Sequence, residues 1–236
     1  MSIGPARLFL LVAAFAPVGV FAAAGGEDGN NKAIPPHATF RGLTYAEWTA
    51  TWWQAAFAAP VASGSHPLFT GGAFDGEAGA VFLSAPVLPE GSPTAMISMA
   101  VPSGTPVFFP IITAECSVYE EPPFHGEDEP ELRACADGLV DLVTDVSVTI
   151  DGQPAAPHRV QSPLFQWGPV PADNFLGAPE GTISDAVSDG YFLMLPPLNV
   201  GVHHIAVSAT IVPFGLAVDA EFIITVTPRV TFKGHP

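Results

Sequence analysis

From about residue 79 onward, Pro and Gly cut the chain into short apolar runs, and this punctuation limits the possible folds more than any other feature. The chain holds 26 Pro and 23 Gly in 236 residues, and 48% of it is hydrophobic. Segments 79–84, 94–101 and 106–114 are separated by turn residues such as Pro102-Ser103-Gly104. In 94–101, Ala95, Ile97, Met99 and Val101 alternate against Thr94 and Ser98, the period of a half-buried strand. Segment 106–114 (PVFFPIITA) is apolar on both faces, which suits a strand covered from two sides, and Pro110 marks an edge or a bulge. Further strands are predicted at 145–151, 158–162, 191–195, 201–212 and 219–227, with Asp151-Gly152 and Asp189-Gly190 as turn signals. The Pro/Gly-rich segment 163–188 reads as a surface loop with little structure of its own. Short, evenly spaced strands joined by turns predict a mainly β, sandwich-type fold.

Two helices interrupt the strands. Thr44 followed by Glu47 is a capping box, so a helix is predicted from Tyr45 to about Ala58, ending before Pro60. Tyr45, Trp48 and Trp52 share one face of it and Trp53 and Phe57 another. Three Trp this close could stack on sugar rings. An Ala-rich, nearly uncharged helix instead packs its aromatics inward, and that is the reading preferred here. The second helix spans 130–143, where Leu132, Cys135, Ala136, Leu139, Val140 and Val143 fall on one face and Pro130 suits the first turn. The two cysteines, Cys116 and Cys135, are predicted to form a disulfide that staples this helix to the strand before it. Closing that loop is worth roughly 3 kcal/mol.

The first 24 residues have the order of a secretory signal: Arg7, the apolar run Leu8 to Ala16, the breakers Pro17 and Gly19, then Phe21-Ala22-Ala23-Ala24. The apolar run is too short for a spanning helix, which needs about 20 residues. The expected organisation is a signal peptide at 1–24, a flexible leader at 25–43, and one domain at 44–236. The expected location is secreted or periplasmic, with no membrane span once the signal is removed.

Charge narrows the function. Seven Lys and Arg stand against 23 Asp and Glu, a formal charge of −16, and only 13% of residues are charged. Nucleic-acid binding rests on Lys/Arg neutralising phosphates, so no nucleic-acid partner is expected. No GxSxG, HExxH, Walker loop, GxGxxG before a helix or EF-hand loop occurs, which removes the strong enzyme signals. Three weaker constellations remain. Glu115, Glu120, Glu121, Glu127, Asp128, Glu129 and Glu131 form an acidic stretch around His125. Within it Glu120, His125, Glu127, Asp128 and Glu129 are weak metal candidates, with Ca²⁺ the weakly possible cofactor; the plainer reading is a solvated loop leading into a helix N-terminus. His203 and His204 are neighbours in a strand and point to opposite faces, so they cannot share one metal readily. Asp151, Asp173, Asp185 and Asp189 supply carboxylates that a glycosidase would need in a defined pair, which sequence cannot place.

The C-terminal third carries the phrases SVTIDGQPA, HRVQSPLF, SDGYFLMLPPLNVGVHHIAVSATI and EFIITVTP. Pro197-Leu198-Asn199-Val200-Gly201-Val202-His203-His204-Ile205-Ala206-Val207 and the strand after it resemble the last hairpin of bacterial Ig-like modules. With Trp48-Thr49-Ala50-Thr51-Trp52-Trp53 and Glu115-Cys116-Ser117-Val118, the chain looks like a group of uncharacterised exported bacterial proteins over about residues 44–227. The resemblance implies secretion and a sandwich; it brings no activity, cofactor or catalytic residue. The fold expected is therefore an Ig-like or jelly-roll-like β-sandwich with two short helices and one disulfide. The function expected is a binding or structural module of the cell envelope or extracellular space, with a carbohydrate or protein as the candidate ligand. The alternative is a secreted hydrolase acting on polysaccharide or envelope material through acidic residues.

Overall fold

The computed structural model describes residues 33–61, 66–76 and 79–229. The predicted signal peptide and residues 25–32 of the predicted leader lie outside the described residues. Helix α1 (Tyr45–Ala58) begins and ends where the capping box and Pro60 placed it: Thr44 Oγ1 accepts from the Glu47 amide at 3.3 Å, and the Thr44 amide donates to Glu47 Oε2 at 2.7 Å. Helix α2 (Pro67–Thr70) is an additional single turn, capped by His66 Nδ1 accepting from the Leu68 amide. Helix α3 (Glu129–Val140) starts at Asp128, whose Oδ1 accepts from the Glu131 amide at 3.0 Å.

Two six-stranded mixed sheets form a sandwich. The first contains β1 (Gly72–Asp75), β2 (Val81–Ser84), β5 (Val107–Ser117), β8 (His158–Arg159), β9 (Phe165–Trp167) and β10 (Ser184–Leu195). Its order is β1-β2-β5-β10-β8, with β9 also on β10. The second contains β3 (Leu88–Pro89), β4 (Ala95–Pro102), β6 (Val143–Ile150), β7 (Gln153–Ala155), β11 (Gly201–Ile211) and β12 (Leu216–Thr227), in the order β3-β12-β11-β6-β7, with β4 parallel to β12.

The apolar character of β5 on both faces has a direct cause. Phe109 and Ile111 face the second sheet and pack with Leu193, Leu195, Ile205, Val207, Phe222 and Ile224. Phe108 faces the other way, with Phe192 and Met194, against Trp48, Trp52 and Phe57 of α1. The molecule is thus three layers deep, helix on sheet on sheet, and the first sheet is buried twice. At Pro110 the register of β5 against β10 shifts, a bulge that takes up the missing amide. On its other side β5 pairs with β2 only at Val107 and Phe108.

Two expectations are corrected. Asp151-Gly152 does turn the β6–β7 hairpin, with φ of 50° and 76°, but Asp189-Gly190 lies inside β10. There Gly190 gives β5 room: a Cβ would stand 2.6 Å from Ile112 O and 2.7 Å from Thr113 Cα. Segment 163–188 is not a loose loop either. It contributes β9 and the start of β10, and it buries Trp167, Val170 and Ala178. Its middle is held by Asn174, which donates to Pro171 O and Ala178 O and accepts from the Ala178 amide. Likewise residues 33–43, the end of the predicted leader, are docked: the Ile34 amide donates to Met194 O, and the Tyr45 hydroxyl donates to Ile34 O.

Candidate functional site

Beyond Phe108, β5 has no strand partner on its β2 side among the described residues, and this open edge borders a cavity of about 400 Å³. The volume falls within the range of small-molecule sites, roughly 300–1,000 Å³. Residues Ile112 to Glu115 form one wall. Trp53 and Phe57 of α1, Leu68 and Phe69 of α2, and Phe175 form a second; Leu139 and Val140 of α3, with Val143, Ile211 and Leu216 of the second sheet and Phe214 of the β11–β12 turn, form a third. The four exposed side chains Phe69, Val87, Phe124 and Phe214 gather around it. Clustered exposed apolar groups of this kind mark binding surfaces rather than ordinary exterior.

The polar part of the lining consists of Thr113 and two carboxyl groups, Glu115 and Glu120. Glu115 is buried at 4% exposure because it stands in the strand between Thr113 and Ser117, on the face against which α1 and the Trp167 ring pack. Its Oε1 accepts from the Trp167 indole at 2.9 Å. Its carboxyl adjoins that of Glu120, which the turn after β5 folds back: Glu120 Oε2 accepts from Ser117 Oγ at 2.9 Å. Burial holds the Glu115 carboxyl well above its ordinary range, the adjoining Glu120 carboxyl adds to this, and the Trp167 hydrogen bond opposes it. The aromatic wall is fixed: Trp53 Nε1 donates to Thr113 Oγ1 at 3.2 Å, Thr113 Oγ1 donates to Asp189 O, and Phe57 stacks between Trp167 and Phe175. Nearby, His66 is buried with its pKa lowered, chiefly by that burial; Nε2 meets Ala56 O and Nδ1 accepts from the Leu68 amide, which defines a neutral ring.

The residues singled out from sequence are distributed differently. Of the metal candidates, Glu120 joins Glu115, Asp128 caps α3, and Glu129 pairs with Arg133 at 2.6 Å. The Glu127 amide donates to Glu131 Oε2, and His125 bridges Ser117 through its backbone. Among the described residues no group of three or more His, Cys, Asp or Glu side chains could hold a metal ion. His203 is buried and His204 exposed, as their opposite faces require; His203 Nδ1 lies 2.8 Å from Asp151 Oδ2, and His204 Nδ1 lies 2.6 Å from Glu221 Oε1. His203 Nε2 also meets Asn199 O, so both of its nitrogens are engaged. Asp185 accepts from Gln166, and Asp189 binds Arg159. Trp48 and Trp52 are buried and donate to Phe40 O and Leu83 O, so they form core and not an exposed stacking platform. Cys116 and Cys135 are disulfide-bonded, with Cα atoms 6.2 Å apart.

Sequence reasoning placed Glu115 in the acidic stretch but did not separate it from its neighbours. The signal was present: an acid inside an apolar strand, directly before a half-cystine. Among the described residues no helix is long and apolar enough to cross a membrane. No protein-family model, curated protein or solved structure matches the chain, so its own geometry carries the functional reading.

Proposed function

We propose that the protein is an exported binding module whose ligand is a small, largely apolar molecule with one polar end. The observation that carries this reading is the cavity at the open edge of β5, apolar on three walls and closed at one point by the Glu115–Glu120 pair. Support for export comes from the signal-like first 24 residues and from the disulfide, which persists in oxidising compartments. Kinship with Ig-like modules is part of the same proposal and draws on the β11–β12 hairpin.

The hydrolase alternative draws less from this geometry. Glycosidic carboxyls flank a bond at about 5–5.5 or 6.5–9.5 Å, with room between them for sugar or water. The Glu115 and Glu120 carboxyls adjoin each other, and the walls around them are apolar, a poor match for sugar hydroxyls.

The test is calorimetric titration with eight-carbon probes bearing different head groups, alongside Ala114→Trp, which fills the cavity from β5. Binding to the wild type by at least one probe, lost in Ala114→Trp with the circular dichroism spectrum unchanged, is the expected result. Absence of binding by every probe, or equal binding by the filled variant, overturns the proposal.

A further inference from the structure

We infer that the cavity selects a cationic ligand, an apolar amine whose ammonium group docks between the Glu115–Glu120 pair and the aromatic wall of Trp53, Phe57 and Phe175. This rests on the reading of the cavity as a ligand site and names the ligand's chemistry. Charge complementarity carries it. Among the described residues two acidic side chains line the cavity and no Lys, Arg or His does. An anionic head group would meet like charge with no compensating cation, whereas an ammonium meets carboxyl oxygens and π faces at once. Among the described lining residues, α1 contributes Trp53 and Phe57, α2 Leu68 and Phe69, α3 Leu139 and Val140, and the second sheet Val143, Ile211 and Leu216, none of them titratable. Behind the pair stand the Trp167 indole, a neutral donor, and the Ser117 hydroxyl.

The free and bound states differ by one proton. Without ligand, burial favours the protonated form of Glu115. When the ammonium arrives, its N–H groups replace that proton, which leaves to solvent. Exchange of one proton for one ammonium leaves the charge of the site plus its ligand unchanged, so no additional net charge is buried, and the ammonium N–H groups satisfy the carboxyl oxygens.

The experiment compares octylammonium, octanol and octanoate on the wild-type chain and on Glu115→Gln and Glu120→Gln. Octylammonium is expected to bind on the order of tenfold more tightly than octanol, with octanoate weakest. Titrations in buffers of different ionisation heat should show about one proton released per octylammonium and none with octanol. Each Gln variant should lose the ammonium preference and the proton release while still binding octanol. Octanol or octanoate binding as tightly as octylammonium, or a preference that survives both substitutions, overturns the inference and leaves the cavity as a ligand site. If none of the three binds, the functional reading itself fails.

Discussion

The Trp167 indole donates its Nε1 hydrogen to Glu115 Oε1 at 2.9 Å, and both side chains are buried. The contact ties two strands of the first sheet together, Trp167 of β9 and Glu115 of β5, and Trp167 carries the link on to the helix layer by stacking on Phe57 of α1 at 4.5 Å. A neutral donor satisfies one oxygen without cancelling a charge. Burial therefore outweighs it, and the carboxyl holds its proton to higher pH than an exposed glutamate does.

That protonation has a pH signature. An unfolded glutamate ionises near its ordinary value of 4.5, whereas folded Glu115 holds its proton to higher pH. Between those two values the native state binds more protons than the unfolded state, so stability falls as pH rises through that window. Glu115→Gln keeps an acceptor for Trp167 and removes the titration. Urea melts from pH 4.5 upward should show the wild type losing stability where the variant stays flatter, and parallel profiles would sink the idea. Glu115→Ala, by contrast, leaves the buried indole without its acceptor and should cost about 1–3 kcal/mol at the low-pH end of the series.

Removing the α1 indoles tests the outer core. Trp48 and Trp52 are each 1% exposed, and Trp52 makes edge contacts with Trp53 and Phe74. Trp48→Ala and Trp52→Ala should each lower stability by about 3–5 kcal/mol in denaturant melts. Melting indistinguishable from the wild type would mean the rings are not core.

Local features were legible in the sequence, and long-range ones were not. The ends of α1 followed from Thr44, Glu47 and Pro60, because a capping box and a proline act within one turn of the chain. Alternation gave β4 and β11, and the opposite faces of His203 and His204 followed from it. The double burial of β5 was implied by PVFFPIITA, but what covered each face was not. Asp189-Gly190 misled because its local turn preference is overridden by β5, whose backbone passes too close for a side chain. The Glu115–Glu120 pair depends on where β2 leaves β5 and on how the chain folds back after Ser117. Neither is set by residue spacing.

Gly190→Ala measures that override. The added methyl would meet backbone atoms of Ile112 and Thr113, which cannot rotate aside, so a loss of about 1–3 kcal/mol is expected. Gly152→Ala is the control: nothing lies within 4 Å of its would-be Cβ, and only its φ of +76° is strained, a cost of about 1–2 kcal/mol. The two should differ in kind. Gly190→Ala should disturb the near-ultraviolet signal of Trp53, which hydrogen-bonds Thr113 Oγ1, while Gly152→Ala should leave it intact. An unchanged aromatic spectrum in Gly190→Ala would remove the close-approach explanation.

The last test concerns Arg159, which gathers three carboxylates. Its Nε and Nη2 donate to Asp189 Oδ2 at 3.1 and 2.9 Å, Nη1 donates to Asp141 Oδ1 at 2.6 Å, and Nη2 donates to Asp137 Oδ1 at 2.7 Å. Asp137 and Asp141, at the end of α3, are more than half exposed, so solvent screening leaves those two links worth little. Asp189 is different: its side chain is 3% exposed, and burial raises its pKa even though Arg159 pulls it down. Arg159→Met strands that carboxylate and should cost about 3 kcal/mol, the low end for breaking a buried pair because the arginine itself is part-exposed. The sign with pH follows. Without Arg159 the folded Asp189 holds its proton over a wider range than the unfolded chain, so the deficit should grow as pH rises from 4 to 8. Asp189→Asn in the Arg159→Met background needs no cation and should recover most of the loss at pH 8. A deficit that ignores pH, or a double variant no better than the single, would show that Arg159 acts by packing its stem and not by holding Asp189.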